Sequence, residues 1–175
     1  MEIPANTISL FRYRWNVPVI DCIHAEGAAT FNSMVQQLVV SRDALARALR
    51  ALTESTWVLP RRKPQAGYRL SSRGRKVASP CSRILRLAEA KGIDDLVLRR
   101  WTMPIASILH GWSLRFAEIR ALLPGITPRA LSLALKDMQE AGFITREIVG
   151  GFPPTATYRL TSEASIFSAP LRRLK

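Results

Sequence analysis

The chain is poor in the residues that most chemistry requires. It has 2 cysteines, 2 histidines and 13 acidic residues among 175. Cys22 and Cys81 lie far apart and neither has a C-x-x-C partner. This pattern excludes a disulfide framework and a zinc ribbon; both read as core thiols, with redox sensing as the alternative. His24 and His110 occupy equivalent positions in the two first helices and read as half-buried packing residues rather than metal ligands or acid–base groups. No Ser-His-Asp spacing, phosphate-cradling glycine loop or paired-carboxylate motif is present, so an enzyme is not expected, and neither are catalytic residues, a cofactor or a metal. No stretch of about 18 apolar residues could span a bilayer, and the N-terminus lacks the basic-then-apolar pattern of a secretory signal. A cytoplasmic protein with no membrane partner is expected.

What the chain has in excess is positive charge. Lys and Arg number 26, giving a formal net charge of +13, while 47% of the residues are apolar. A packed core under an electropositive surface is implied, and such a field attracts polyanions. Nucleic acid, bound at the nucleoid, is the expected partner.

The sequence also repeats itself. Arg14-Trp15, Pro18 and His24 align with Arg100-Trp101, Pro104 and His110 at a spacing of 86. Phe31 and Leu38 then meet Phe116 and Leu123 at 85. Leu45, Leu49, Leu52 and Trp57 meet Leu131, Leu135, Met138 and Phe143 at 86. Tyr68-Arg69-Leu70-Ser71 meets Tyr158-Arg159-Leu160-Thr161 at 90. The spacing changes where turns are expected, as in two diverged copies of one unit. The division is 1–91, a degenerate module ending in a linking helix, and 92–175.

Each copy predicts the same order of elements. A first helix follows the tryptophan, with Pro18 or Pro104 in its opening turn, where a missing N–H costs little. A second helix spans 31–39 and 116–123. A third starts after the N-capping hydroxyls Ser41 and Thr127 and ends near Thr53 and at Gly142. Paired extended runs follow, Trp57–Arg61 with Tyr68–Leu70 and Phe143–Ile148 with Ala156–Leu160, each flanking a turn-rich loop. A closing helix then covers Ser72–Lys91 and Ser162–Leu174. The predicted fold is mainly α with short β-hairpin wings, arranged as two tandem winged helix-turn-helix modules.

From Trp101 to Leu174 the chain resembles the HxlR family of bacterial winged-helix regulators, allied to the MarR group. The likeness rests on Arg100-Trp101, Arg115-Phe116-Ala117-Glu118, Pro124-Gly125-Ile126-Thr127-Pro128-Arg129, Glu140-Ala141-Gly142-Phe143-Ile144, Pro153-Pro154, Tyr158 and Leu160-Thr161. It implies binding of double-stranded DNA. It also implies dimerisation through terminal helices, which two copies in one chain would replace or build upon, giving a homodimer or an intramolecular pseudo-dimer. Redox-sensing members carry a cysteine ahead of the first helix. None precedes Trp101 within its module, and Cys22 falls inside a helix.

In a helix-turn-helix the third helix of each module enters the major groove. At 100° per residue, Leu45, Ala48, Leu49 and Leu52 share the inner face, leaving Asp43, Arg47 and Arg50 outward. Arg47 and Arg50 are the candidates for guanine or phosphate contact, and Ser41 with Arg42 at the helix start for phosphate. Arg61, Arg62 and Lys63 on the wing, followed by Arg73, Arg75 and Lys76, read as a backbone clamp. The second copy offers Arg115, Thr127, Arg129, Ser132 and Lys136, with Leu133 standing where the first has Arg47. Leu133 fits a thymine methyl or a protein interface, the latter slightly favoured. Its wing lacks a basic cluster. Residues 1–91 carry 15 basic and 6 acidic residues and 92–175 carry 11 and 7, so the nets are +9 and +4. The expected function is a transcriptional regulator. The alternatives are an architectural or replication-initiator-like DNA binder, and an RNA- or partner-binding winged-helix protein.

Overall fold

A computed structural model describes residues 5–62, 66–150 and 154–173. The first half of the chain forms α1 (Ala5–Leu10), α2 (Asn16–Glu26), α3 (Phe31–Leu38), α4 (Arg42–Glu54), β1 (Val58–Arg61), β2 (Gly67–Leu70) and α5 (Ser72–Lys91). The second half forms α6 (Asp94–Val97), α7 (Thr102–Leu109), β3 (Leu114–Arg115), α8 (Phe116–Leu122), α9 (Pro128–Glu140), β4 (Ile144–Val149), β5 (Thr155–Leu160) and α10 (Ser162–Ser168), closed by a 3-10 turn over Ala169–Arg173. The order of three helices, a hairpin and a further helix therefore occurs twice.

Local chemistry sets the helix ends. Ser41 is extended (φ −65°, ψ 145°), and its Oγ accepts from the Ala44 N–H, satisfying a donor that the first turn of α4 leaves unpaired. Thr127 does the same for α9 through Ala130, and Pro128 fills the first helical position. Both helices stop in the same way. The Trp57 N–H donates back to Leu52 O at 2.8 Å, and Phe143 N–H to Met138 O at 2.8 Å. The residue between helix and strand is left-handed in each case, Thr56 (φ 57°) and Gly142 (φ 66°). The turns between α3 and α4 and between α8 and α9 also match, with Val39 (φ 48°) where the second half has Gly125 (φ 82°). At both places the first half holds with a β-branched residue a backbone that favours glycine.

The strands pair antiparallel. Val58 faces Leu70 and Arg61 faces Gly67 in the first hairpin. In the second, Ile144 faces Leu160 and Val149 faces Thr155. β3 adds a third strand by pairing Leu114 with Tyr158 and Arg115 with Thr157. The first half keeps a remnant of that strand in the single bridge between Ala29 and Tyr68. Where hairpin meets closing helix, Ser71 N–H donates to Trp57 O at 3.1 Å and Ser71 Oγ accepts from Gly74 N–H at 2.9 Å. Thr161 repeats this with Phe143 O at 3.1 Å and Ala164 N–H at 3.2 Å. In the first half the helix carries glycine here, and a Cβ on Gly74 would lie 2.1 Å from Trp57 O.

The buried faces of α2, α4 and α5, with Trp57, merge into one continuous core with those of α7, α9 and α10. α5 packs on the closing 3-10 turn and α1 on α7. Arg14–Asp95 and Lys91–Glu163 ion pairs join the two halves at the surface. Hydrogen bonding and attraction from Arg14 hold the Asp95 carboxyl below its usual range.

Three features differ from the sequence expectation. The last helix stops at Ser168 and continues only as a 3-10 turn, because Pro170 lacks the N–H an α-helix needs; Leu174 lies outside the described residues. The short elements α1, α6 and β3 were not expected. His24 is exposed, whereas His110 is half-buried with Nδ1 2.6 Å from Ser168 Oγ.

Candidate nucleic-acid interface

The two third helices present matching faces. In α4, Leu45, Ala48, Leu49 and Leu52 are buried, while Ser41, Arg42, Asp43, Ala46, Arg47 and Arg50 are exposed. In α9, Leu131, Leu135 and Met138 are buried, while Thr127, Arg129, Ser132, Leu133 and Lys136 are exposed. Leu133 is 53% exposed. The outward positions read from the helical period are thus outward.

The candidate cations differ in what already holds them. Arg47 and Arg50 make no ion pair among the described residues. Arg42 leans on α3, with its guanidinium 5.1 Å from the centre of the Phe31 ring and Nη1 donating to Asn32 Oδ1 at 3.3 Å. In α9, Lys136 lies 3.7 Å from Glu140, whereas Arg129 has no ion pair among the described residues. Arg115 stands at the end of β3, where its own N–H donates to Glu118 Oε2 at 2.6 Å.

The basic run after β1 divides into two groups. Arg61 is half-buried at the strand end and Arg62 and Lys76 are exposed; Lys63 lies outside the described residues. Arg73 is committed to the fold. Its guanidinium stacks 3.9 Å from the Trp57 ring and donates to Ser55 O at 2.8 Å, Thr56 Oγ1 at 3.3 Å and Asn6 Oδ1. Arg75 donates to Leu70 O and Ser72 Oγ. These two arginines brace the base of the hairpin. Sequence reasoning passed over Arg83 and Arg86 on α5 and Arg146 on β4, all exposed. The first two could have been found from the helical period of α5, and Arg146 from strand alternation.

A groove of about 340 Å³ runs beside α4, lined by Phe31, Leu49, Arg50, Pro60 and Tyr68 among others. Its counterpart beside α9 is about 250 Å³ and is lined by Phe116, Leu135, Lys136 and Tyr158 among others. The two hollows use corresponding residues, each with a cation at the rim next to the outward helix face.

Neither cysteine suits a thiol sensor. Burial, with Glu26 and Asp21 nearby, pushes the Cys22 thiol up to about 11, and burial also raises that of Cys81. No group of three or more His, Cys, Asp or Glu side chains among the described residues could hold a metal, and no described helix is long and apolar enough to cross a membrane.

Three helices leading into a paired hairpin, with the third helix capped, amphipathic and basic outside, define a winged helix-turn-helix protein. Residues 96–175 match the family described as HxlR-like helix-turn-helix. Among curated relatives, the uncharacterized HTH-type transcriptional regulator YvaP of Bacillus subtilis is 35% identical over 69 residues, covering 39% of this chain and 64% of the relative. An uncharacterized HTH-type transcriptional regulator of Methanothermobacter thermautotrophicus is 34% identical over 64 residues, covering 37% and 49%. The chain spans between about half and just under two thirds of the length of these relatives. Among solved structures, a possible HxlR family transcriptional factor of Thermoplasma volcanium has 24% identity and a TM-score of 0.40, covering 67% of this chain and 90% of that one.

Proposed function

We propose that the chain is a transcription regulator that binds double-stranded DNA through two winged helix-turn-helix modules in tandem, 1–91 and 92–175, and acts in the cytoplasm on the nucleoid. α4 and α9 enter the major groove, and the wing cations hold the backbone. One observation carries this reading above the others. The outward face of α4 offers Arg47 and Arg50 without an acidic partner, on a helix whose opposite face is fully committed to the core. An unpaired guanidinium fork projecting from a capped, packed helix suits guanine O6 and N7 or a phosphate.

Arg62 and Lys76 supply charge to phosphates without reading sequence. Arg129, Ser132 and Lys136 on α9 make the second set of contacts, and the net of +9 against +4 makes the first module the stronger in affinity. Recovery of genomic fragments with the purified chain tests the function. A regulator prefers its site over random duplex by about 10³-fold or more, and fragments bound within a few-fold of random DNA would instead establish an architectural binder.

A further inference from the structure

The two outward faces occupy the same helical positions but differ in chemistry. Asp43 on α4 stands where α9 has Arg129, Arg47 where it has Leu133, and Ala46 where it has Ser132. The first of these pairs reverses the sign of charge, and the second exchanges a guanidinium for an isobutyl group. In the major groove these are opposite requests. A carboxylate accepts from cytosine N4 and an arginine donates to guanine, while an apolar side chain meets the thymine methyl. Two modules that ask for different bases at equivalent places cannot both be satisfied by the two halves of a palindrome.

The modules are also not free to separate. They share one continuous core, α5 packs on the closing 3-10 turn, and Arg14–Asp95 and Lys91–Glu163 bridge the halves. One chain therefore carries two unlike readers in a set relation. Palindromic operators reflect two identical readers related by a twofold axis, and that symmetry is missing here.

We infer that a single copy of this chain recognises an asymmetric duplex, with a guanine-bearing half under Arg47 and Arg50 of α4 and a thymine-bearing half under Leu133 of α9. The inference rests on the DNA-binding reading above. Leu133 is a lone exposed apolar residue between Ser132 and the cations of α9, and single exposed leucines do not require a protein partner.

The test is selection of duplexes from a random pool by the full chain and by the variants Arg47→Leu and Leu133→Arg, with complex stoichiometry measured by sedimentation. Both side chains are exposed, so folding is expected to be intact, and circular dichroism checks it. The expected result is a motif of two dissimilar halves bound by one chain. Arg47→Leu then changes base preference in one half alone and Leu133→Arg in the other alone, each lowering affinity for the original motif roughly tenfold or more. A palindromic motif bound by two chains overturns the inference, as does either variant altering both halves. So does a Leu133→Arg protein that loses self-association while keeping its base preference. Those outcomes leave DNA binding standing. Absence of duplex binding by the wild-type chain overturns the functional reading, and this inference with it.

Discussion

At Gly74, helix propensity and packing make opposite predictions. The residue sits in the first turn of α5, where alanine would ordinarily gain about 0.8–1 kcal/mol over glycine. An alanine Cβ, however, would lie 2.1 Å from the Trp57 carbonyl oxygen, a backbone atom, whereas real Cβ contacts stay beyond 3.0 Å. The start of β1 and the start of α5 must then part by nearly an ångström. That movement stretches the Ser71 N–H bond to Trp57 O, now 3.1 Å. Overpacking of this kind costs about 1–3 kcal/mol, and a weakened buried hydrogen bond about 1 kcal/mol more, which together exceed the propensity gain. Gly74→Ala is expected to be destabilising by about 1–3 kcal/mol, lowering Tm by about 3–10 °C for a chain of this size. Thermal unfolding followed by circular dichroism measures it. In the second half Ala164 caps onto Thr161 with its Cβ accommodated, so Ala164→Gly should also be destabilising. A Gly74→Ala protein with unchanged or higher Tm would refute the close approach.

Further outcomes follow from the same geometry. Val39→Gly should stabilise the protein by about 0.5–1 kcal/mol in denaturant titration, because Val39 is left-handed and 87% exposed and loses no packing; a lower midpoint contradicts this. Arg47→Ala should cost roughly 1–3 kcal/mol of DNA affinity and relax preference at one base position, whereas Arg62→Ala should weaken all sequences about equally. Arg47→Ala with Arg50→Ala should impair binding more than Arg129→Ala with Lys136→Ala, and the reverse order in a competition assay makes α9 the principal reader. Because the Cys22 thiol is pushed up to about 11 and that of Cys81 is raised, both remain protonated near neutral pH. A thiol-alkylating probe should label the native protein slowly, with labelling rising only as pH approaches the Cys22 value; rapid labelling at neutral pH by mass spectrometry refutes this.

Much of this was legible in the residues. The closing helix of the first half was expected over Ser72–Lys91, and α5 has those limits, set by the Ser71 cap and by Gly92. Thr127-Pro128 and Gly142 marked α9 because each has a single strong conformational role. The stops of α3 and α4 in the first half carried no such mark, since Val39 and Thr56 hold left-handed backbone that β-branched residues seldom adopt. β3, at two residues, is too short to show a period. The outward faces of α4 and α9 followed from the spacing of their leucines. What the sequence concealed was the division of the basic run. Arg73 looks like Arg62 in a string of cations, and only the fold brings Trp57 and Asn6 to its guanidinium.

The most direct test of DNA binding through phosphate and groove contacts is a titration of duplex DNA at several ionic strengths, followed by fluorescence anisotropy. With several phosphates neutralised, log affinity should fall steeply against log salt, by about 0.9 for each contact, and Arg62→Ala should reduce the slope by about one. A nearly flat plot for the wild-type chain would contradict the account.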